Sequence, residues 1–195
     1  MIVSALSLAL APASSEIAIA YNVSILWVNM CGIIFTATFI PMTFMSMWMY
    51  KTFGTHTVLR FASILMLIGG WCRMFALKGD FWPILIGQVI ISLAQPVYYS
   101  VMTQIANKWF PDSERSLVTS ICGLSIPGGN LVAFLLSGLI FAGIENMTDT
   151  EVQTQTNEML WVQNYWITAV CIPFIVMIRD KPEFPPSKVS LEKPK

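Results

Sequence analysis

An all-α, polytopic bundle of transmembrane helices is the fold this sequence predicts, and three observations predict it. Of 195 residues, 55% are hydrophobic and only 11% are charged, against roughly 25% charged in an average globular domain. Mean hydropathy is +0.66. The apolar residues are also grouped: uncharged runs cover 17–50, 61–72, 81–107, 116–144 and 159–178. Most of these reach the roughly 20 residues that a helix needs to cross a bilayer. The second run is short, but 59–77 is largely apolar, with Arg60 and Arg73 its charged residues.

Element by element, the start of the chain is the least regular. MIVSALSLALAPASS is apolar, yet at about 15 residues it is too short to cross. No Lys or Arg precedes its apolar core, which argues against a cleaved signal peptide. It is expected to be the remnant of a truncated first transmembrane helix, with an outer loop completing 1–24. Five spans are expected next, at about 26–50, 59–78, 82–106, 116–143 and 159–178, forming a bundle over 25–178. The Met-rich PMTFMSMWMY of span 26–50 spreads its methionines around the helix and suits lipid-facing and packing surface. KTFGTHTVLR then turns the chain, with Gly54 available for the bend. In LKGDFWP, Pro83 suits the first turn of the next helix, and in NKWFPDSERS the PDSE stretch suits a turn and a helix start. The stretch 144–158 is polar and acidic and reads as a loop. The end, 179–195, is charged and Pro-rich and reads as an extended tail.

Charge fixes an orientation. Lys51, Arg60, Lys108, Arg115 and the five basic residues of the tail fall on one side, and only Arg73 and Lys78 on the other. That bias places the tail in the cytoplasm. The sequons at Asn22 and Asn146 then both lie on the non-cytoplasmic side and are candidates for glycosylation. With 11 basic and 11 acidic residues the net charge is zero, so no nucleic-acid partner is expected. Cys31, Cys72, Cys122 and Cys171 fall within spans without a CxxC spacing, and His56 is the single histidine. Neither pattern suits a metal site or a cofactor. No Ser/His/Asp set or phosphate loop is visible, so an enzyme is not expected.

Span 82–106 carries the chemistry. Gln88 and Gln95 are seven residues apart, which puts them within about 20° of each other on a helix. Ser92, Tyr99 and Thr103 share that face, and Ile86, Ile90, Leu93 and Val97 lie opposite. Polar groups in lipid need partners, so this stripe is either interhelical glue or the wall of a wet cavity. Five polar residues in register favour the wall, with Gln95, Gln88, Tyr99 and Ser92 as solute-binding candidates. Neutral amides beside a tyrosine suit an organic solute. The absence of Asp, Glu and His from every expected span does not suit proton pumping. Pro96 removes a backbone donor and marks a kink. In span 116–143, Gly123, Pro127, Gly128 and Gly129 suit close helix packing first and a hinge second.

Four stretches in order carry a resemblance: YNVS before the first full span, GGWCR, IGQVIISLAQPV with IANKWFP, and RDKPEFPPS. Over about 20–187 the chain resembles the amino-terminal half of the feline leukaemia virus subgroup C receptor-related transporters, within the major facilitator superfamily. The resemblance implies twelve helices in two pseudo-symmetric halves around a central site. It also implies uptake of choline or ethanolamine, with haem export a lesser association, and a substrate contact at the residue matching Gln95. The chain departs from the family in three ways. The substrate-facing Trp of the first helix has no counterpart, Lys51 stands where an LLDxxG pattern would put aspartate, and the second half is absent. The expected function is therefore part of a solute carrier, completed by a second half. The alternative is a degenerate half-transporter that serves as a structural subunit of a membrane complex. Its partners are the lipid bilayer and a small organic solute, besides that second half or complex. A plasma membrane is expected before an organelle membrane.

Overall fold

The computed structural model describes residues 2–78, 80–111, 113–141 and 148–177. Every regular element among them is helical: α1 (Ile2–Leu8), α2 (Ser14–Ala20), α3 (Ile25–Phe53), α4 (Thr55–Arg73), α5 (Trp82–Trp109), α6 (Arg115–Ile140) and α7 (Asp149–Met177), with 3-10 turns at Ala11–Ala13 and Met74–Lys78. The chain is a multi-pass integral membrane bundle. Its helical segments provide six candidate spans by length and apolarity, one more than the five expected.

The additional span is the first. Joined through its break, Val3–Ala20 is 18 residues long and apolar enough to cross; the expectation counted the apolar run only as far as Ser15. The break falls at Leu8–Ala13, where Pro12 cannot donate a backbone hydrogen bond. A broken helix in lipid must have its freed carbonyls satisfied by other groups. Three helices supply donors to this segment. Gln88 of α5 donates to the Leu6 carbonyl at 3.1 Å, Ser137 of α6 to that of Ala9 at 2.6 Å, and Gln153 of α7 to that of Ala20 at 2.6 Å.

α5 is the axis of the bundle. It packs most extensively against α4, then against α3. Some 56% of its membrane-length window is buried, against 17% for α3 and for α6. The α4–α5 crossing is close because glycines meet there. A Cβ on Gly69 would lie 2.6 Å from Ile91 Cγ1 and 2.9 Å from the Gly87 carbonyl oxygen, and one on Gly70 would lie 2.7 Å from Asn164 Oδ1 of α7. Small residues that let backbones approach in this way are a recurrent device in membrane bundles.

Gly123 and Gly128 of α6 make no such contact among the described residues. A Cβ at Gly123 or Gly128 would meet nothing within 4 Å, and Pro127 is exposed. The buried side of α6 is Gly129, Ala133 and Ser137, spaced four residues apart and set mainly against α1 rather than against the chain neighbours α5 and α7.

Several boundaries also move. The expected inner loop 51–58 contracts to Gly54, which links α3 and α4 at φ 80, a conformation that suits glycine. α5 extends to Trp109, leaving a shorter connection than 107–115. α7 starts at Asp149 rather than 159. At that start the Glu151 carboxylate accepts from the Thr148 N–H at 2.7 Å and from its hydroxyl at 2.9 Å, so 148–158 is a capped helix start rather than a loop, while 144–147 lie outside the described residues. Asp149, Glu151 and Glu158 therefore belong to a long helix, contrary to the expectation that no span holds a carboxylate. Asn146 and the tail 179–195 lie outside the described residues. Asn22 is exposed at the α2–α3 turn with φ 51, and the Ser24 side chain caps α3 by accepting from Leu26 N.

Candidate functional site

Three polar contacts set how α5 is rotated against its neighbours. Tyr50 of α3 donates to the Val97 carbonyl at 2.8 Å, Ser46 pairs with Ser100 at 3.3 Å, and Ser63 of α4 pairs with the Tyr98 hydroxyl at 2.7 Å. α5 passes Pro96 without interruption. Val97, expected on the face away from the stripe, is buried, because Tyr50 of α3 packs and bonds there. Ile86 on that opposite face is exposed.

Within the stripe the expected residues divide. Gln88 is 1% exposed and its Nε2 donates to the Leu6 carbonyl, which makes it a tether for α1, while its Oε1 has no hydrogen-bond partner. Ser92 is fully buried and returns its hydroxyl to the Val89 carbonyl at 2.7 Å, so it presents no free donor. Gln95 differs from these in its aromatic neighbour. Gln95 Nε2 donates to the Tyr99 hydroxyl at 3.4 Å, while Gln95 Oε1, on a side chain 8% exposed, has no hydrogen-bond partner. The Tyr99 ring in turn meets the Phe39 ring of α3 at 5.7 Å between centroids, inclined by 57°. The structure thus brings together an open amide oxygen and two aromatic rings at mid-length of α3 and α5. It does not bring Gln88 or Ser92 to the same opening. Thr103 is exposed.

An open acceptor costs free energy when buried without a partner, and a tyrosine–phenylalanine pair presents electron-rich faces that attract cations. Neutral groups of this kind can hold a cationic or hydroxylated organic solute without the desolvation penalty of a buried ion pair. Among the described residues no group of three His, Cys, Asp or Glu could hold a metal.

Reading the sequence alone missed two features. Phe39 was passed over because it sits in an apolar run; its i, i+7 spacing to Ser46, which faces α5, was the available signal. Arg73 was counted as an outer-side basic residue, yet it is 2% exposed and its guanidinium donates to Gln163 of α7. Its Nη1 has no hydrogen-bond partner. The paired glycines just before it, Gly69 and Gly70, were the hint that this end of α4 lies deep in the bundle.

Comparison with known proteins agrees with this architecture. The family model described as Major Facilitator Superfamily matches residues 1–194. The chain is 29% identical over 163 residues to the choline/ethanolamine transporter FLVCR2 of Homo sapiens, covering 83% of this chain and 30% of that protein. It is 26% identical over 172 residues to the choline/ethanolamine transporter FLVCR1 of Felis catus, covering 86% and 30%. With solute carrier family 49 member A3 of Xenopus tropicalis it shares 27% over 187 residues, covering 91% and 37%. The chain thus spans about a third of the length of these curated relatives.

Proposed function

The chain belongs to the major facilitator superfamily, and from that premise we propose that it is the amino-terminal part of a solute carrier. Completed by a second half, it moves a small cationic or hydroxylated organic solute of the choline or ethanolamine kind by alternating access; haem is a less favoured cargo. The observation that carries this reading is the unpartnered Gln95 Oε1 beside the Tyr99–Phe39 ring pair. An amide oxygen can accept from a hydroxyl or ammonium group, and the rings can face the cationic head. The names of the relatives point to the same class of solute. The lightly buried α3 and α6 leave surface on which a second bundle can close a central cavity.

The test is uptake of labelled choline and ethanolamine by the complete transporter, normalised to protein at the cell surface. Losing one hydrogen bond to a charged group costs about 1.5–3 kcal/mol, or roughly 10- to 150-fold in affinity. Gln95→Ala should therefore weaken uptake by at least about tenfold at unchanged surface abundance. A fall in abundance with uptake per molecule preserved would make Gln95 an interhelical contact. Complete absence of uptake by the intact protein would favour the alternative, a structural subunit of a membrane complex.

A further inference from the structure

A groove of about 400 Å³ runs between the broken first helix and α3, lined by Ser7, Leu8 and Ala11 on one side and Asn29, Gly32 and Thr36 on the other. Its polar residues are out of place for a lipid-facing surface. Asn29 and Thr36 are exposed, although α3 is an uncharged helix of 29 residues up to Lys51 near its end. Elsewhere on α3 the hydroxyls are satisfied internally: Thr38 and Thr43 donate to the carbonyls four residues back at 2.8 and 2.6 Å. Asn29 and Thr36 make no such bond among the described residues. An amide left open to hydrocarbon is costly, and side chains of this kind face a cavity or a polar ligand.

The opposite wall supplies acceptors as well. The helix break leaves carbonyls at and just after the end of α1 in need of other partners, and two of them, from Leu6 and Ala9, are taken by Gln88 and Ser137. The Ser7 carbonyl instead points at α3, where a Cβ on Gly32 would lie 3.2 Å from it. Glycine at that position keeps the backbone oxygen at the groove. The lining is thus neutral and largely apolar, with the Asn29 amide and the Thr36 hydroxyl as its open polar groups; the Ser7 hydroxyl donates to the Ser4 carbonyl at 2.7 Å. Along α3, Asn29 precedes Phe39 by ten residues, about 15 Å of rise, which exceeds the length of a choline-sized molecule.

We propose that this groove is a second solute station, separate from Gln95, that receives the hydroxyl or ammonium group of a small polar solute. It rests on the solute-carrier reading above. On the orientation set by the basic residues, it lies on the non-cytoplasmic side and loads solute before the mid-membrane site.

Two measurements on the complete transporter test it. In uptake assays, Asn29→Leu and Thr36→Val should each raise KM for choline about five- to tenfold, the loss of one hydrogen bond, with little change in maximal rate per molecule. In the second, Ile33→Cys, which lines the groove and keeps its polar residues, is labelled with an impermeant methanethiosulfonate. Choline should slow that labelling several-fold, and should still do so when Gln95→Ala is added, because the stations are separate. Cys31 is 1% exposed, but Cys72 and Cys122 are partly exposed, so the latter two are changed to Ser and that background without Ile33→Cys is the unlabelled control. Protection that vanishes with Gln95→Ala would overturn the second station and leave the mid-membrane site intact. So would an unchanged KM in Asn29→Leu while Gln95→Ala impairs uptake. If abundance falls and uptake per molecule is unchanged, the groove is a contact with the second half and the proposal is wrong. Failure of the parent protein to take up choline or ethanolamine would remove the underlying reading as well.

Discussion

Gln88 donates its amide hydrogen to the main-chain oxygen of Leu6, 3.1 Å away, tying the core of α5 to a first helix that stops two residues later. Because Gln88 is 1% exposed, the bond has no water to replace it. Gln88→Leu should lower thermal stability in detergent by about 0.6–2 kcal/mol, while uptake KM per folded molecule stays near that of the parent. A raised KM at unchanged stability would return Gln88 to the solute site.

The glycine pair at the α4–α5 crossing should be intolerant of any side chain. At Gly87, an added Cβ would run into the Arg73 side chain and the Gly69 carbonyl oxygen. Overpacking of this kind costs about 1–3 kcal/mol. Gly87→Ala should therefore lower the melting temperature, and Gly128→Ala, whose Cβ meets nothing within 4 Å, should not. Equal melting temperatures for the two variants would refute the assignment.

Arg73 and Gln163 should behave as one unit. A buried guanidinium that loses its acceptor loses a charge-assisted hydrogen bond, which costs about 1.5–3 kcal/mol. Gln163→Leu alone should destabilise strongly, and Arg73→Leu with Gln163→Leu together should be milder than the sum of the two single changes. Additive effects in denaturation would show that the contact carries no coupling.

Topology can be checked independently of transport. Thr150 is exposed at the start of α7, on the side that the basic residues assign to the cell exterior. Thr150→Cys should react with an impermeant thiol reagent on intact cells. Labelling only after permeabilisation would invert the orientation.

The helical class, five of the six spans and the register of α5 were legible in the sequence, because hydropathy and helical period depend on residue type alone. Partners were not. Gln88 and Gln95 share a face to within about 20° but lie about 10 Å apart along the axis, and only the fold shows that the Leu6 carbonyl meets one and that the Tyr99 beside the other is packed on Phe39. Small residues announce close approach without saying which helix approaches. Gly69 and Gly87 make a close contact that was not singled out, and of the α6 set Gly129 is buried while a Cβ on Gly123 or Gly128 would meet nothing within 4 Å. The start of α7 was missed because its composition is polar, although Thr148 and Glu151 carry the spacing of a capping box. The first span was undercounted because the apolar run was ended at Ser15 and not followed past Glu16 to Ala20.

The contact between Ser137 and the Ala9 carbonyl joins residues 128 positions apart, and α6 rests chiefly on α1. At roughly 5–20 residues per second of synthesis, α1 is finished about 6–25 s before the helix that seals it exists. During that interval the open carbonyl at its break has no donor from α6, so the nascent chain depends on shelter from the insertion machinery. Ribosome-stalled chains ending before Ser137 should be degraded faster than chains that include all of α6. Birth order and packing order run opposite here: the first helix made is among the last to be secured.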